Sequence, residues 1–359
     1  MKIILTGGGT AGHVTPNIAL IPKLQALGFE IYYIGSYTGM EKELIEAQGI
    51  PYYGIDSGKL RRYHDWKNFS DPFRVQHGLH ESRALMKKLK PDIVFSKGGF
   101  VSVPVVLAAK EAKIPVIIHE SDITPGLANK LCFRAADKIC CNFPETMKYL
   151  PEDKRVLSDC PIREELMHGD AERARALTGF TDKKPVIMVI GGSLGSVAVN
   201  KLVRDALPEL LKKYNVLHLC GRGNVDESLT GMKGYKQFAY VTTDLKDYFA
   251  LAGLVISRAG ANAICEILAL HKPNILIPLG TAGSRGDQLL NAKSFARQGF
   301  STVLTEDETT PELLCRTIDE VYEDREDLAF RMEASQLDTG VSNIIHLIKK
   351  LSGYKNGKD

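Results

Sequence analysis

One opening occurs twice in this chain, and that repeat constrains its fold more than any other feature. Lys2-Ile3-Ile4-Leu5-Thr6 is a buried-strand pattern that runs straight into Gly7-Gly8-Gly9-Thr10-Ala11-Gly12. A helical apolar pattern follows through Ile18, Ala19, Ile21 and Leu24. Half a chain later, Val186-Ile187-Met188-Val189-Ile190 leads into Gly191-Gly192-Ser193-Leu194-Gly195-Ser196 and a second helical pattern reaching Leu211. Two such openings predict two Rossmann-like domains. Further short apolar runs lie at 31–34, 92–95, 116–118 and 138–141, then at 216–219, 254–257, 274–277 and 302–304. They alternate with helical segments, as parallel sheets covered on both faces require. The expected fold class is therefore α/β. Cys160-Pro161 interrupts the pattern and marks the boundary between a domain at 1–160 and one at 161–340. The segment 341–359, helical at its start, is expected to pack back across the first domain.

A length of 359 residues suits two cores better than one. No apolar run is long enough to span a bilayer, and the apolar start is too short for a secretory signal. Seven cysteines, an odd number without a C-x-x-C pair, argue for reduced thiols in a cytosol and against a disulfide framework or zinc site. A net charge of +3 is too small for wholesale nucleic-acid binding. The charge is uneven, however: nine Lys/Arg face three acids between Lys59 and Lys90. Lys59, Arg61, Arg62, Trp66, Phe69, Phe73 and Arg74 interleave cations with interfacial aromatics, which suits an anionic membrane surface. A solvated connection followed by a basic helix face is the alternative.

Open parallel sheets bind ligands at the carboxyl ends of their strands, and the informative residues fall there. Gly7-x-Gly9-x-x-Gly12 formally matches the dinucleotide fingerprint. That reading also wants an acid ending the second strand, which here ends Tyr33-Ile34-Gly35-Ser36, so nicotinamide binding is rejected. What survives is a backbone able to close on phosphate. Ser96-Lys97-Gly98-Gly99, the loop at 191–196 and Arg258-Ala259-Gly260-Ala261-Asn262 share that logic. Any one of them also serves as a tight turn. Four, split between the halves, imply two phosphorylated ligands facing each other across a cleft.

No Asp-x-Asp motif occurs, so a metal-held nucleotide diphosphate is not supported, and Arg163 with helix N-termini would stabilise the leaving group. Glu266 suits a pair of ribose hydroxyls, and Gln288 with Asn291 suits sugar hydroxyls. His13 follows the first glycine loop at a helix N-terminus, which favours a neutral imidazole able to act as a base. His119-Glu120 ends another strand and brings a second imidazole and a carboxylate to the same edge, so the choice of base stays open.

Taken together these residues resemble the MurG family of GT-B glycosyltransferases, glycosyltransferase family 28. The resemblance runs nearly end to end, through residues 7–13, Lys97-Gly98-Gly99-Phe100-Val101-Ser102, 119–129, Arg163, 191–196, 258–266, Asp287-Gln288 and Asn291-Ala292. It implies the GT-B fold and transfer of N-acetylglucosamine from UDP-GlcNAc to the 4-hydroxyl of the muramyl sugar of lipid I. The implied reaction is inverting, gives a β-1,4 link and needs no metal or other cofactor. The UDP-GlcNAc residues it implies are Arg163, Ser193, Val241, Ala261, Asn262, Glu266 and Gln288, with Thr10, Ala11, Gly12 and Asp122 near the sugar. For the acceptor diphosphate it implies Gly8, Gly9, Gly12, Lys97, Gly98, Gly99 and Asn129. His13 is the leading base, with His119 and Glu120 on the acceptor side. The place implied is the cytoplasmic face of the cell membrane, held peripherally through the first domain.

The chain departs from the commoner family pattern at Ala11, at Ser121-Asp122, at Cys160 and at Leu194, in the manner of a low-GC Gram-positive branch. Three other readings remain: a UDP-GlcNAc 2-epimerase, a diacylglycerol glycosyltransferase, and a nucleotide-sugar sensor without turnover. The first would act without an acceptor, the second would ignore lipid I, and the third would bind UDP-GlcNAc without releasing UDP.

Overall fold

The computed structural model describes residues 1–58, 71–192, 195–280, 286–335 and 340–355. The chain forms two compact units, Met1–Arg163 with Asp338–Asp359, and Glu164–Leu337.

Unit 1 is built on a parallel sheet of β1 (Lys2–Thr6), β2 (Glu30–Ser36), β3 (Tyr52–Ile55), β4 (Ile93–Ser96), β5 (Val116–Glu120), β6 (Lys138–Cys141) and β7 (Arg155–Leu157). Its order is β3-β2-β1-β4-β5-β6-β7. Unit 2 carries β8 (Val186–Ile190), β9 (Asn215–Leu219), β10 (Tyr235–Phe238), β11 (Leu254–Ser257), β12 (Asn274–Leu276) and β13 (Thr302–Val303), ordered β10-β9-β8-β11-β12-β13. These pairings are parallel too. Both units are therefore Rossmann-like. β3, β7 and β10 were not expected from the sequence. Each is an edge strand, partly exposed, so no continuous apolar run marks it.

Strand side chains alternate between faces, and both faces of the unit 1 sheet are buried. Ile4, Ile34, Val94, Ile118 and Ile139 share one core cluster with residues of helices Ser102–Glu111 and Leu127–Cys132. Ile3, Leu5, Ile31, Tyr33, Phe95 and Ile117 share the other with helix Thr15–Ala26. That second core also takes Ile344, Ile345 and Ile348 from helix Val341–Ser352. Burying such side chains is worth about 1.5–3 kcal/mol apiece, enough to hold the C-terminal helix on unit 1. Its entry is fixed at Gly340, whose N–H donates to Cys160 O at 2.9 Å and where a Cβ would collide with Asp159 O. After the helix, Tyr354 stacks on Phe29 at 5.4 Å between centroids and donates its hydroxyl to Leu27 O.

Candidate active site

Both sheets reverse direction at one point. In unit 1 the chain runs outward from β1 to β3 and resumes on the other side at β4; in unit 2 it does the same between β8 and β11. Ligands of open parallel sheets bind at the carboxyl ends of the strands flanking such a reversal. The four strands there are the four that empty into the glycine loops, at 7–12, 97–99, 191–196 and 258–262. Each unit therefore has one ligand edge formed by two glycine loops.

In unit 1 the first loop is held from below. Tyr33 donates its hydroxyl to Gly7 O at 2.8 Å, and Asn17 Nδ2 donates to Thr6 O at 3.1 Å. Gly9 has φ +87°, a region that favours glycine, and its N–H donates to Glu41 Oε2 at 3.3 Å. Gly99, at φ +85°, lies so close to Gly8 O that a Cβ would collide with it, so the two loops touch backbone to backbone. Gly9 and Thr10 are exposed; Ala11, Gly12 and His13 are half-buried. His13 ends a short 3-10 turn, Ala11–His13, with its Nδ1 3.1 Å from Thr10 Oγ1.

The ends of β4 and β5 correct an expectation. Lys97 was expected at a ligand diphosphate and His119 facing the same edge. Instead Lys97 is 1% exposed and His119 0%. Lys97 Nζ donates to His119 Nδ1 at 2.6 Å and to the Ser121 hydroxyl. Burial, then the Lys97 charge, holds the His119 imidazole well below its ordinary pKa, so it is neutral. Its Nε2–H then faces Asp159 O at 3.5 Å. Glu120 is also interior, and its carboxylate accepts from Asp122 N–H, Gly126 N–H and Asn129 Nδ2 at 3.0, 2.9 and 2.8 Å. Asn129 also donates to His119 O, and its Oδ1 lies 3.1 Å from where a Cβ on Gly98 would stand. Strand ends place these groups at the edge of the sheet, but their side chains are buried, and residues of loop 121–126 bond Lys97 and Glu120.

In unit 2, Ser196 caps helix Val197–Lys213, its Oγ accepting from Val199 N–H at 3.3 Å. The buried guanidinium of Arg258 donates to Ser196 Oγ at 2.6 Å and Ile277 O at 3.0 Å, and pairs with Glu306. It ties the two loops of this edge together. Helix Ala261–Ala269 starts directly after β11, with Ala261 and Asn262 in its first turn and Glu266, half-buried, further along. Gln288 Oε1 accepts from Leu279 N–H at 2.9 Å. Asn291, expected at a sugar hydroxyl, is fully buried and donates to Ala259 O at 3.2 Å, bracing the loop after β11. Val241, in the loop after β10, and Arg163 are half-buried. Ser193 and Leu194 lie outside the described residues.

Lys59, Arg61, Arg62, Trp66 and Phe69 also lie outside the described residues, as does the side chain of Phe73. Arg74, expected at a membrane, holds Asp56 Oδ1 through Nε at 2.9 Å and Nη2 at 2.8 Å. Among the described residues no helix is long and apolar enough to cross a membrane, and no cluster of His, Cys, Asp or Glu could hold a metal ion.

Residues 3–141 match the glycosyltransferase family 28 N-terminal domain, and residues 186–348 match the family 28 C-terminal domain. The chain belongs to glycosyltransferase family 28. A curated family 28 relative from Lachnospira eligens is 61% identical over 348 residues, covering 97% of this chain and 98% of its own. It is named UDP-N-acetylglucosamine–N-acetylmuramyl-(pentapeptide) pyrophosphoryl-undecaprenol N-acetylglucosamine transferase, as is a relative from Lachnoclostridium phytofermentans. The latter is 57% identical over 350 residues, covering 98% of this chain and 99% of its own. Among solved structures, that of Acinetobacter baumannii MurG is similar at a TM-score of 0.75 and 28% identity, covering 97% of this chain and 99% of its own. The glycotransferase of kitacinnamycin, 16% identical and covering 98% of both chains, reaches the same TM-score and shows the fold alone.

Two supports of the family 28 glycine loops were missed from sequence. Ser196 carries the ordinary signature of a helix cap, a serine just ahead of an apolar run, and could have been read. Glu41 could not, because Met40-Glu41-Lys42-Glu43 reads as the solvated first turn of a helix.

Proposed function

We propose that this chain transfers N-acetylglucosamine from UDP-GlcNAc to the 4-hydroxyl of the N-acetylmuramyl unit of lipid I, forming a β-1,4 link with inversion. The observation that carries the reading is 61% identity across 97% of the chain to a relative bearing that activity's name. The paired glycine loops at each reversal point, one pair per unit, support it.

Unit 2 takes the donor. The amide groups of loop 191–196 and the N-terminus of helix Ala261–Ala269 meet its diphosphate, where backbone donors and the helix dipole stabilise the charge that grows as UDP departs. Glu266 accepts the ribose hydroxyls, Ser193, Val241, Asn262 and Gln288 complete the donor contacts, and Arg163 adds a cation. Unit 1 takes the acceptor, whose diphosphate lies against the backbone of Gly8, Gly12, Gly98 and Gly99, with Asn129 beside it. Gly9 contributes less, because its N–H is already given to Glu41.

His13 is the base. In the Nδ1–H tautomer, which would donate to Thr10 Oγ1 3.1 Å away, the Nε2 lone pair removes the proton from the muramyl hydroxyl. The hydroxyl oxygen attacks the anomeric carbon, the bond to the UDP oxygen breaks, and His13 leaves protonated. The transferase works peripherally at the cytoplasmic face of an anionic membrane, which the segment 59–74 approaches. Purified protein given UDP-GlcNAc in EDTA tests this: UDP release appears only when a soluble lipid I analogue is added. Equal release without the analogue contradicts it.

A further inference from the structure

Glu41 is a buried carboxylate that the mechanism above does not use. It stands in the first turn of helix Met40–Glu46, and it is 0% exposed while its neighbour Glu43 is exposed. Its Oε1 accepts from Ser36 N–H at 3.1 Å and Ser36 Oγ at 2.5 Å. Its Oε2 accepts from Gly9 N–H at 3.3 Å. Taking a carboxylate out of water is costly unless donors surround it, so a surface-type helix would ordinarily leave it outside.

The seat around it is built for that one group. A Cβ on Gly8 would stand 2.5 Å from Oε1, one on Gly35 would collide with the Tyr52 hydroxyl and stand 2.9 Å from Glu41 Cγ, and one on Gly39 would collide with the carboxylate itself. Gly8 in the first loop, with Gly35 and Gly39 on either side of the turn before the helix, therefore leaves room for this side chain. That side chain joins the end of β2 to the turn after β1. Ser36 is fixed in its turn, since Tyr52 donates its hydroxyl to Ser36 O at 2.5 Å.

We propose that Glu41 is a positioning residue for the reaction: through Gly9 it sets the turn on which Thr10 and His13 stand. Gly9 at φ +87° is followed by Thr10 at φ −148° and ψ 155°, and Thr10 then meets His13 Nδ1. Holding the Gly9 N–H fixes the first link of that series. The proposal rests on the reading of His13 as the base.

Glu41→Gln separates the two bonds. A glutamine has one acceptor oxygen, which the two Ser36 donors retain, and it turns an NH2 toward the Gly9 N–H. The turn then loses its acceptor. Displacement of a reacting group by about 1 Å can cost about 100-fold, so kcat should fall about 10- to 100-fold. The KM for UDP-GlcNAc should stay within about 2-fold, because the donor is held elsewhere. In a His13→Ala background the same substitution should cost less than about 2-fold, since the group it positions is gone.

A kcat for E41Q within about 2-fold of the parent overturns the proposal, and so does a loss that multiplies in full with H13A. If H13A alone leaves kcat unchanged, the base reading fails, and with it the route through His13. Should E41Q not fold, hydrogen exchange in the unaltered protein decides: slow exchange at Gly9 N–H supports the seat, and exchange as fast as an open loop overturns it.

Discussion

The Lys97 ammonium lies 2.6 Å from His119 Nδ1, and both groups are buried inside unit 1. Burial, and then the neighbouring Lys97 cation, keeps that imidazole neutral. Of the two histidines beside glycine loops, His13 is the half-buried one. His119 and Lys97 instead belong to the buried interior at the ends of β4 and β5.

Two buried neutral histidines make stability depend on acid. Burial depresses the pKa of His119 and lowers that of His218, in unit 2, to about 3. Unfolded, each titrates near about 6.5, so below that pH the unfolded chain binds more protons than the folded one. For His218 the stability contribution is therefore complete above about pH 6.5 and is lost as pH falls toward about 3, by up to about 1.4 kcal/mol per pH unit; the shift at His119 has the same sign. Urea unfolding of unit 2 at pH 7, 6 and 5 should show this slope. His218→Gln, which can still bond Asn200 and Tyr235, should flatten it. An equally steep slope in H218Q would contradict the assignment.

His13→Ala should lower kcat about 100- to 10,000-fold, the usual worth of general-base assistance, while UDP-GlcNAc affinity stays within about 2-fold. Steady-state kinetics with calorimetric donor binding separate the two quantities. A normal kcat would remove His13 from the role.

Glu266→Ala should act on the other side. A carboxylate bonding two hydroxyls contributes about 1.5–3 kcal/mol, so UDP affinity should fall roughly 10- to 100-fold. Calorimetry with UDP alone checks this, and unchanged binding would move the ribose elsewhere.

Arg258→Met should be a stability variant before it is a kinetic one. It removes the tie between Ser196, Ile277 and Glu306 and leaves a partly buried carboxylate without its cation. Breaking such a pair costs about 3 kcal/mol, at the lower end of the range because Glu306 keeps some exposure. A lowered melting temperature should accompany the loss of UDP affinity. Lost affinity with an unchanged melting temperature would make Arg258 a direct ligand contact.

Changing Lys59, Arg61 and Arg62 together to alanine should weaken binding to phosphatidylserine vesicles by about 1 kcal/mol per residue, and the difference should shrink in high salt. Turnover of a soluble acceptor should be unaffected. Co-sedimentation equal to the parent's would return the segment to the status of a solvated connection.

The doubled architecture was legible because the central strands are buried on both faces and so carry continuous apolar runs, with glycine loops after β1, β4, β8 and β11. The edge strands β3, β7 and β10 lack that run, and Gly54 and Lys236-Gln237 read as loop. Which residues stand at the carboxyl ends of strands also followed from the sequence, as β5 ending at His119 and Glu120 shows. Which of them face outward did not. Lys97 and His119 look like surface chemistry in a sequence, yet both are buried in the fold. Glu41 is the converse case, a residue in a solvated-looking helix turn that is seated inside against Gly8, Gly35 and Gly39.

The most direct test is the product itself: purified protein with UDP-GlcNAc and a soluble lipid I analogue, followed by mass spectrometry and proton NMR. The account predicts addition of one N-acetylhexosamine to the muramyl sugar and a β-configured anomeric proton in the new link. An unmodified lipid I analogue, together with UDP-ManNAc in the mixture or sugar transferred to added diacylglycerol, would contradict it.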